Sequence, residues 1–419
     1  MAETGFRRTV TPDGLRIVSE QIPGVRSACV GICVNAGSMH ESDELAGISH
    51  MLEHMVFRGT ESRSSLAIVQ EIEGVGGHIN AFTSKEFTCF HAHMLDAHLD
   101  LALDILCDLL IHPTLTAEDL EREKLVIGEE IRHYEDSPDE LIFDYFTRTL
   151  YGEHPLARPI IGSVATISTF DRETLLRYMR EHYPLQRTVV AAAGNLNHDR
   201  LSSEIQKRLL LGNHAVENST PPIQHPPPQE MRFPRSVQGA HLCRGVPGLA
   251  YSDEKKFAGF VLSNILGGGM SSRLFQRIRE QEALAYSVYT FLDSMRDSGV
   301  FGVYVGTDPE KVSRVLNLID EEYRKILTDG IPPDEIHRAK EQLKGNLMLG
   351  LESTSARMFR LAKLESYLNE FVTLDETLAL IDAVTREDVL ELAQELLNPE
   401  KQYTAVIEPA KEKAENSFG

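Results

Sequence analysis

Apolar positions along the chain follow two periods. "GLRIVSEQI", "SACVGICVNAG" and "RTVVAAAGNL" alternate or run apolar and are rich in β-branched residues, the pattern of strands. Between them lie long segments whose apolar residues recur three and four apart, the pattern of helices packed on a sheet. The elements run strand-strand-helix rather than in strict βαβ units, so the expected fold class is α+β with largely antiparallel sheets.

The pattern also repeats. "FTCFHAHML" leads into "DAHLDLALDILCDLLIHPTLTAEDLEREKLVIGEEIRHYEDS", and "GVFGVYVGT" leads into "DPEKVSRVLNLIDEEYRKILTDGIPPDEIHRAKEQLKGNLMLGLES". The same strand, helix, turn, helix order twice over predicts two duplicated domains. The segment 212–230 carries five prolines and no apolar periodicity and reads as a linker. Domains of 1–211 and 231–419 are therefore expected, each of ordinary domain size.

Lysine and arginine total 42 against 63 acidic residues, a net charge of −21. That field repels nucleic acid and anionic membranes; the excess either only keeps the chain soluble or marks an acidic cavity that attracts basic peptides. The five cysteines are odd in number and scattered, with no C-x-x-C pair, as expected of buried thiols in a reducing compartment. The first residues lack a signal-peptide pattern, and no segment is long and apolar enough to span a bilayer. A bacterial cytoplasmic protein is expected, with a mature mitochondrial matrix form as the alternative.

One apolar stretch, "GISHMLEHMVFRGT", carries His50, Glu53 and His54. On a helix over 46–57 the two histidines are four apart and project from one face, so both can reach one ion. Imidazole nitrogen suits zinc, and two histidines plus a distant carboxylate leave a fourth position for water. Glu53 lies about a hundred degrees round the helix from His54. Spacing does not exclude it as a ligand, but a base taking a proton from activated water is the better role. H-x-x-E-H is expected by chance roughly 0.09 times in such a chain, so a distant ligand is needed.

"TAEDLEREKLVIGEEIRHY" offers one. Leu120, Glu123, Ile127, Glu130 and Tyr134 share a three-four stripe that places two carboxylates toward the core, where each needs a cation or a donor. Glu130 is expected as third ligand and Glu123 as the carboxylate that orients a ligand histidine; a buried His-Glu or Arg-Glu network is the alternative. Alignment of "AEDLEREKLVIGEE" with "PDEIHRAKEQLKGN" sets Ala339 against Glu123 and Asn346 against Glu130. The second half thus keeps the helix and loses the acids.

With "GSMHESDELAGISHMLEHMVFRGT" and the downstream "EREKLVIGEEI", the chain resembles the pitrilysin- or insulinase-type (M16) zinc metallopeptidases, whose inverted signature is H-x-x-E-H. Within them it is most similar to the processing-peptidase β subunit and its bacterial homologues. The resemblance implies an endopeptidase that cuts extended peptides in an enclosed chamber. It implies one Zn2+ per chain on His50, His54 and Glu130, with Glu53 as catalytic base and Glu123 as the accompanying acid.

The resemblance also implies that "GGHINAFTSKEFTCFHAHML" contains a sheet edge to which peptide adds, with Asn80 and Ala81 beside the scissile bond; an ordinary core strand is the alternative. His91 and His93 on the following strand read as structural. In "ILGGGMSSRLFQRIREQEALAYSVYTF", Arg279 and Tyr286 match an arginine-tyrosine pair that donates to the developing oxyanion or the peptide backbone. With one copy of each domain type, a homodimer is implied in which this pair serves the other protomer's zinc. Two rivals stand beside the enzyme: a non-catalytic scaffold or partner subunit of the same family, and a structural-zinc interaction protein, which lacks a clear fourth ligand.

Overall fold

The computed structural model describes residues 5–214 and 220–410; part of the expected linker, 215–219, lies outside the described residues. The chain forms two compact units. The first takes the chain up to Arg132, then Arg158–Pro222 and Met348–Thr373; the second takes His133–Ala157, Ile223–Leu347 and the chain from Leu374 on.

The first unit is built on six strands, β1 (Phe6–Val10), β2 (Arg16–Gln21), β3 (Ser27–Val34), β4 (His78–Thr83), β5 (Thr88–Leu95) and β6 (Thr188–Gly194). They lie in the order β1-β2-β6-β3-β5-β4, antiparallel except for the β2–β6 pair. The second unit holds β7 (Glu230–Arg235), β8 (Ala240–Pro247), β9 (Ala285–Ser294), β10 (Gly299–Thr307) and β11 (Tyr403–Pro409) in the order β7-β11-β8-β10-β9, with only β11–β7 parallel. The predicted strands and the α+β class are realised in both units.

Strand alternation separates two buried layers in the first unit. Val30, Ile32, Phe90, Ala92, Val190 and Ala192 face a core that includes Met51, Leu52 and Met55 of helix α1 (Ile48–Val56). Cys29, Cys33, Cys89, Val189, Ala191 and Ala193 face the other way and are also buried. All five cysteines are buried and free.

Two matched pairs of helices explain what covers that second face. Helices α2 (Ala117–Glu135) and α3 (Pro138–Tyr151) align without a gap with α4 (Pro333–Gly350) and α5 (Thr354–Leu368), matching Phe143 with Phe359 and Tyr151 with Tyr367. Yet α5 belongs to the first unit and α3 to the second. Phe359 stacks edge-on against Phe82 and His91 at 5.5 and 4.9 Å, as Phe143 does against Phe291 at 5.1 Å. Met358, Leu361 and Ala362 complete the cysteine-lined layer, and a Cβ at Gly31 would come within 2.7 Å of Met358 Sδ. Arg8 clamps the buried Glu365 with two hydrogen bonds of 2.8 and 2.9 Å.

Each duplicate thus carries the helix that covers the other unit's sheet. A fragment of residues 1–222 lacks α5 and leaves an apolar sheet face bare. It is expected to aggregate when produced alone and to be recovered soluble when co-produced with 223–419. Soluble yield and size-exclusion elution check this, and a monomeric, soluble 1–222 would contradict it.

Candidate metal centre

Helix α1 starts at Gly47, whose φ of 95° and close approach to Gly162 leave no room for a side chain. Its first amides are capped by the buried Glu41, which accepts from Gly47 N at 2.8 Å and Ser49 N at 2.9 Å. Burial pushes that carboxyl up to about 7, against the two backbone donors that pull it down. Ile48, Met51, Leu52, Met55 and Val56 pack into the core, so the half-buried face left over carries His50, Glu53 and His54.

Glu130 reaches the histidines from α2. Its Oε1 lies 3.7 Å from His50 Nε2 and its Oε2 3.6 Å from His54 Nε2. The two imidazole centroids are 4.7 Å apart. Among the described residues these are the one set of three histidine, cysteine or acidic side chains whose donor atoms all fall within 4.8 Å of one another. Two imidazole nitrogens and one carboxylate, converging and half open to solvent, are a donor set that fits zinc with a position to spare.

Electrostatics favour a cation there. Burial and then repulsion from His54 lower the His50 pKa to about 4, which keeps that ring neutral with a lone pair to give. Burial alone would lower His54 too, but the Glu123 hydrogen bond and the charges of Glu130 and Glu53 raise it above its ordinary value. Three carboxylates around one imidazole attract a proton or a metal ion, and the two compete.

Glu123 is completely buried. Its Oε2 lies 3.1 Å from His54 Nδ1, and its Oε1 is paired with Arg58. Glu53 accepts from Thr83 Oγ1 at 2.7 Å, and burial raises its pKa. Asn80 and Ala81 stand on β4, the edge of the sheet: Asn80 is exposed, Ala81 is buried, and the Ala81 amide donates to Asn80 Oδ1 at 2.9 Å.

The expected stripe on α2 needs one revision. Glu123 is buried as expected, but the Glu130 side chain is 44% exposed, and Ile131 takes the core position a turn later. At about 100° per residue, Ile131 falls about 40° from Ile127 and Glu130 about 60° to its other side, so Ile131 takes the centre of the stripe and Glu130 its rim. Arg279 and Tyr286 lie in the second unit. The guanidinium stacks between Phe275 and Tyr286 at 4.8 and 4.9 Å, on a π-helical turn, Phe275–Gln281, followed by Ala283 at a φ of 51°. They line a cleft of about 620 Å³ with Asp139, His241 and Tyr304.

Sequence reasoning missed Arg58 and Thr83. Arg58 was legible in principle, four residues beyond His54 as His54 is beyond His50. Nothing in the local sequence marks Thr83 as a partner of Glu53.

An α+β chain that gathers two helical histidines, a distant glutamate and a buried acid in this way has the make-up of a zinc peptidase. Family models agree: the Insulinase (Peptidase family M16) model matches residues 16–164, and the Peptidase M16 inactive domain model matches 169–343. The chain is 39% identical over 407 residues to the uncharacterized zinc protease YmxG of Bacillus subtilis, covering 97% of this chain and 98% of that protein. It is 40% identical to a zinc protease of Streptomyces coelicolor over 97% of this chain and 90% of that one. The chain belongs to the M16 peptidase family.

Solved structures share the fold. A protease from Helicobacter pylori matches with a TM-score of 0.88 at 21% identity, over 97% of this chain and all of that one. A chain of Complex III2 from Candida albicans matches with a TM-score of 0.83 at 20% identity, over 96% and 95%. Among the described residues no helix is long and apolar enough to cross a membrane.

Proposed function

We propose that this protein is a zinc-dependent endopeptidase that cleaves extended peptides or unfolded segments inside an enclosed chamber. The observation that carries the reading is the convergence of His50, His54 and Glu130 beside a half-buried, protonatable Glu53. Within the family the reading favours a processing-peptidase-like enzyme, on the strength of the motif pair around His50 and Glu130.

His50 Nε2, His54 Nε2 and a Glu130 oxygen would hold the ion. Bound there, zinc supplies Lewis acidity toward the substrate carbonyl and lowers the pKa of water. Glu53 takes the proton from the attacking water and delivers it to the leaving amine; its raised pKa suits both halves of that task. Thr83 holds the Glu53 carboxylate in place and ties it to the end of β4. The free edge of β4 offers main-chain groups to an extended substrate at Asn80 and Ala81, a mode that pays little regard to side chains. Arg279 and Tyr286 carry donors suited to the oxyanion or peptide backbone, and in a homodimer they serve the partner's centre.

In this reading the first half, 1–211, is catalytic and 231–419 is its inactive duplicate. The loss of both acids at Ala339 and Asn346 supports that division. The acid excess favours basic peptides, and a bacterial cytoplasm is the proposed location.

Metal removal tests the reading. Purified protein is expected to cut a quenched fluorescent peptide, to lose that activity on chelation, and to regain it with about one zinc per chain. Cleavage that persists in metal-free protein would refute it. Zinc binding without cleavage of any peptide in a broad library would favour a scaffold subunit instead.

A further inference from the structure

We infer that Arg58 is a positioning residue of the metal centre, holding Glu123 so that Glu123 can hold His54. The inference rests on the zinc-site reading above and extends it by one residue. Arg58 continues the last turn of α1, its amide donating to Met55 O at 3.1 Å, so it stands in line with His50 and His54. From there its Nη2 pairs with Glu123 Oε1. The other oxygen of the same carboxylate lies 3.1 Å from His54 Nδ1.

The carboxylate between them is 0% exposed, whereas the Arg58 side chain is 39% exposed. A wholly buried carboxylate needs a counter-charge and needs both oxygens occupied. Arg58 supplies the counter-charge as an ion pair to Oε1, an atom that accepts no hydrogen bond among the described residues, and that pairing fixes the rotation of the carboxylate about its last bond. An ionised carboxylate accepts and does not donate. Held in this orientation it makes Nδ1 the protonated nitrogen of His54 and leaves the lone pair on Nε2, the nitrogen 3.6 Å from Glu130. Without the guanidinium, Oε1 has no other partner among the described residues to select the rotamer that presents Oε2 to the ring.

The test is a competition titration of zinc against a chromogenic chelator, on the full chain in metal-free form, with thermal melting of the same samples. R58M is expected to weaken zinc binding by about 10- to 100-fold, the usual effect of losing an outer partner of a ligand histidine. E123Q is expected to weaken it similarly, and R58M added to E123Q to weaken it little further. R58K, which keeps the charge, should recover most of the affinity.

A merely structural role for Arg58 would lower the melting temperature of R58M yet leave the affinity of the folded protein unchanged. That result overturns the inference, as does an R58M effect of equal size with and without E123Q. If R58M does not fold, R58Q replaces it in the same cycle. Wild-type protein that binds no zinc would sink the site reading as well. Tight wild-type binding with an unaffected, folded variant sinks the Arg58 role alone.

Discussion

Glu53→Gln is expected to lower kcat by about 10³-fold or more while zinc still binds at one ion per chain. The substitution is nearly isosteric, and the amide oxygen can still accept from Thr83 Oγ1, so the geometry around α1 should persist. What disappears is the carboxylate that takes the proton from water and returns it to the leaving amine, a task a neutral amide does not perform. General-base contributions of 10²- to 10⁴-fold set the scale. The absence of ionised Glu53 also removes one of the charges that raise the His54 pKa, so metal affinity should hold or shift only slightly. Steady-state cleavage of a quenched peptide, with zinc measured in the same sample, decides the matter. Wild-type turnover by metal-replete Glu53→Gln would remove the residue from the mechanism.

Glu130→Gln is expected to empty the centre instead. A neutral amide replaces the one anionic group that approaches both imidazoles, at 3.7 and 3.6 Å. Two neutral imidazoles alone bind a divalent ion far more weakly, so the loss should exceed the 10- to 100-fold typical of an outer-shell change. The neighbouring Glu129 makes the control: it points away to Arg132, with Arg132 Nε donating at 3.1 Å, and Glu129→Gln should bind zinc as the wild type does. Equal zinc retention by the two variants, read by equilibrium dialysis and elemental analysis, would contradict the assignment of Glu130.

Much of this could be read from residue order, and the parts that could not have physical reasons. Near-continuous apolar runs at "SACVGICVNAG" and "RTVVAAAGNL" identified β3 and β6, because burial on both faces of a sheet leaves a strong apolar signal. The i, i+4 histidines and the stripe on α2 named the three side chains that the fold brings together. A three-four count does not separate the centre of a stripe from its rim, and Glu130 lies on the rim, where it meets the histidines, while Ile131 takes the core place.

The exchange of α3 and α5 between units left no local trace. Both helices carry the residues their sheet contacts demand, Phe143 and Phe359 among them, and periodicity cannot say which sheet a helix covers. Thr83 was equally silent, since a single hydroxyl on a strand acquires its role only through the residue opposite it in space.

Anomalous diffraction at the zinc edge, from crystals grown with one equivalent of zinc, tests the central claim most directly. The account predicts a single strong peak about 2 Å from His50 Nε2, His54 Nε2 and a Glu130 carboxylate oxygen, with at least one further coordination position not filled by protein. A peak elsewhere in the chain, or one bound by the histidines with Glu130 turned away, would contradict it.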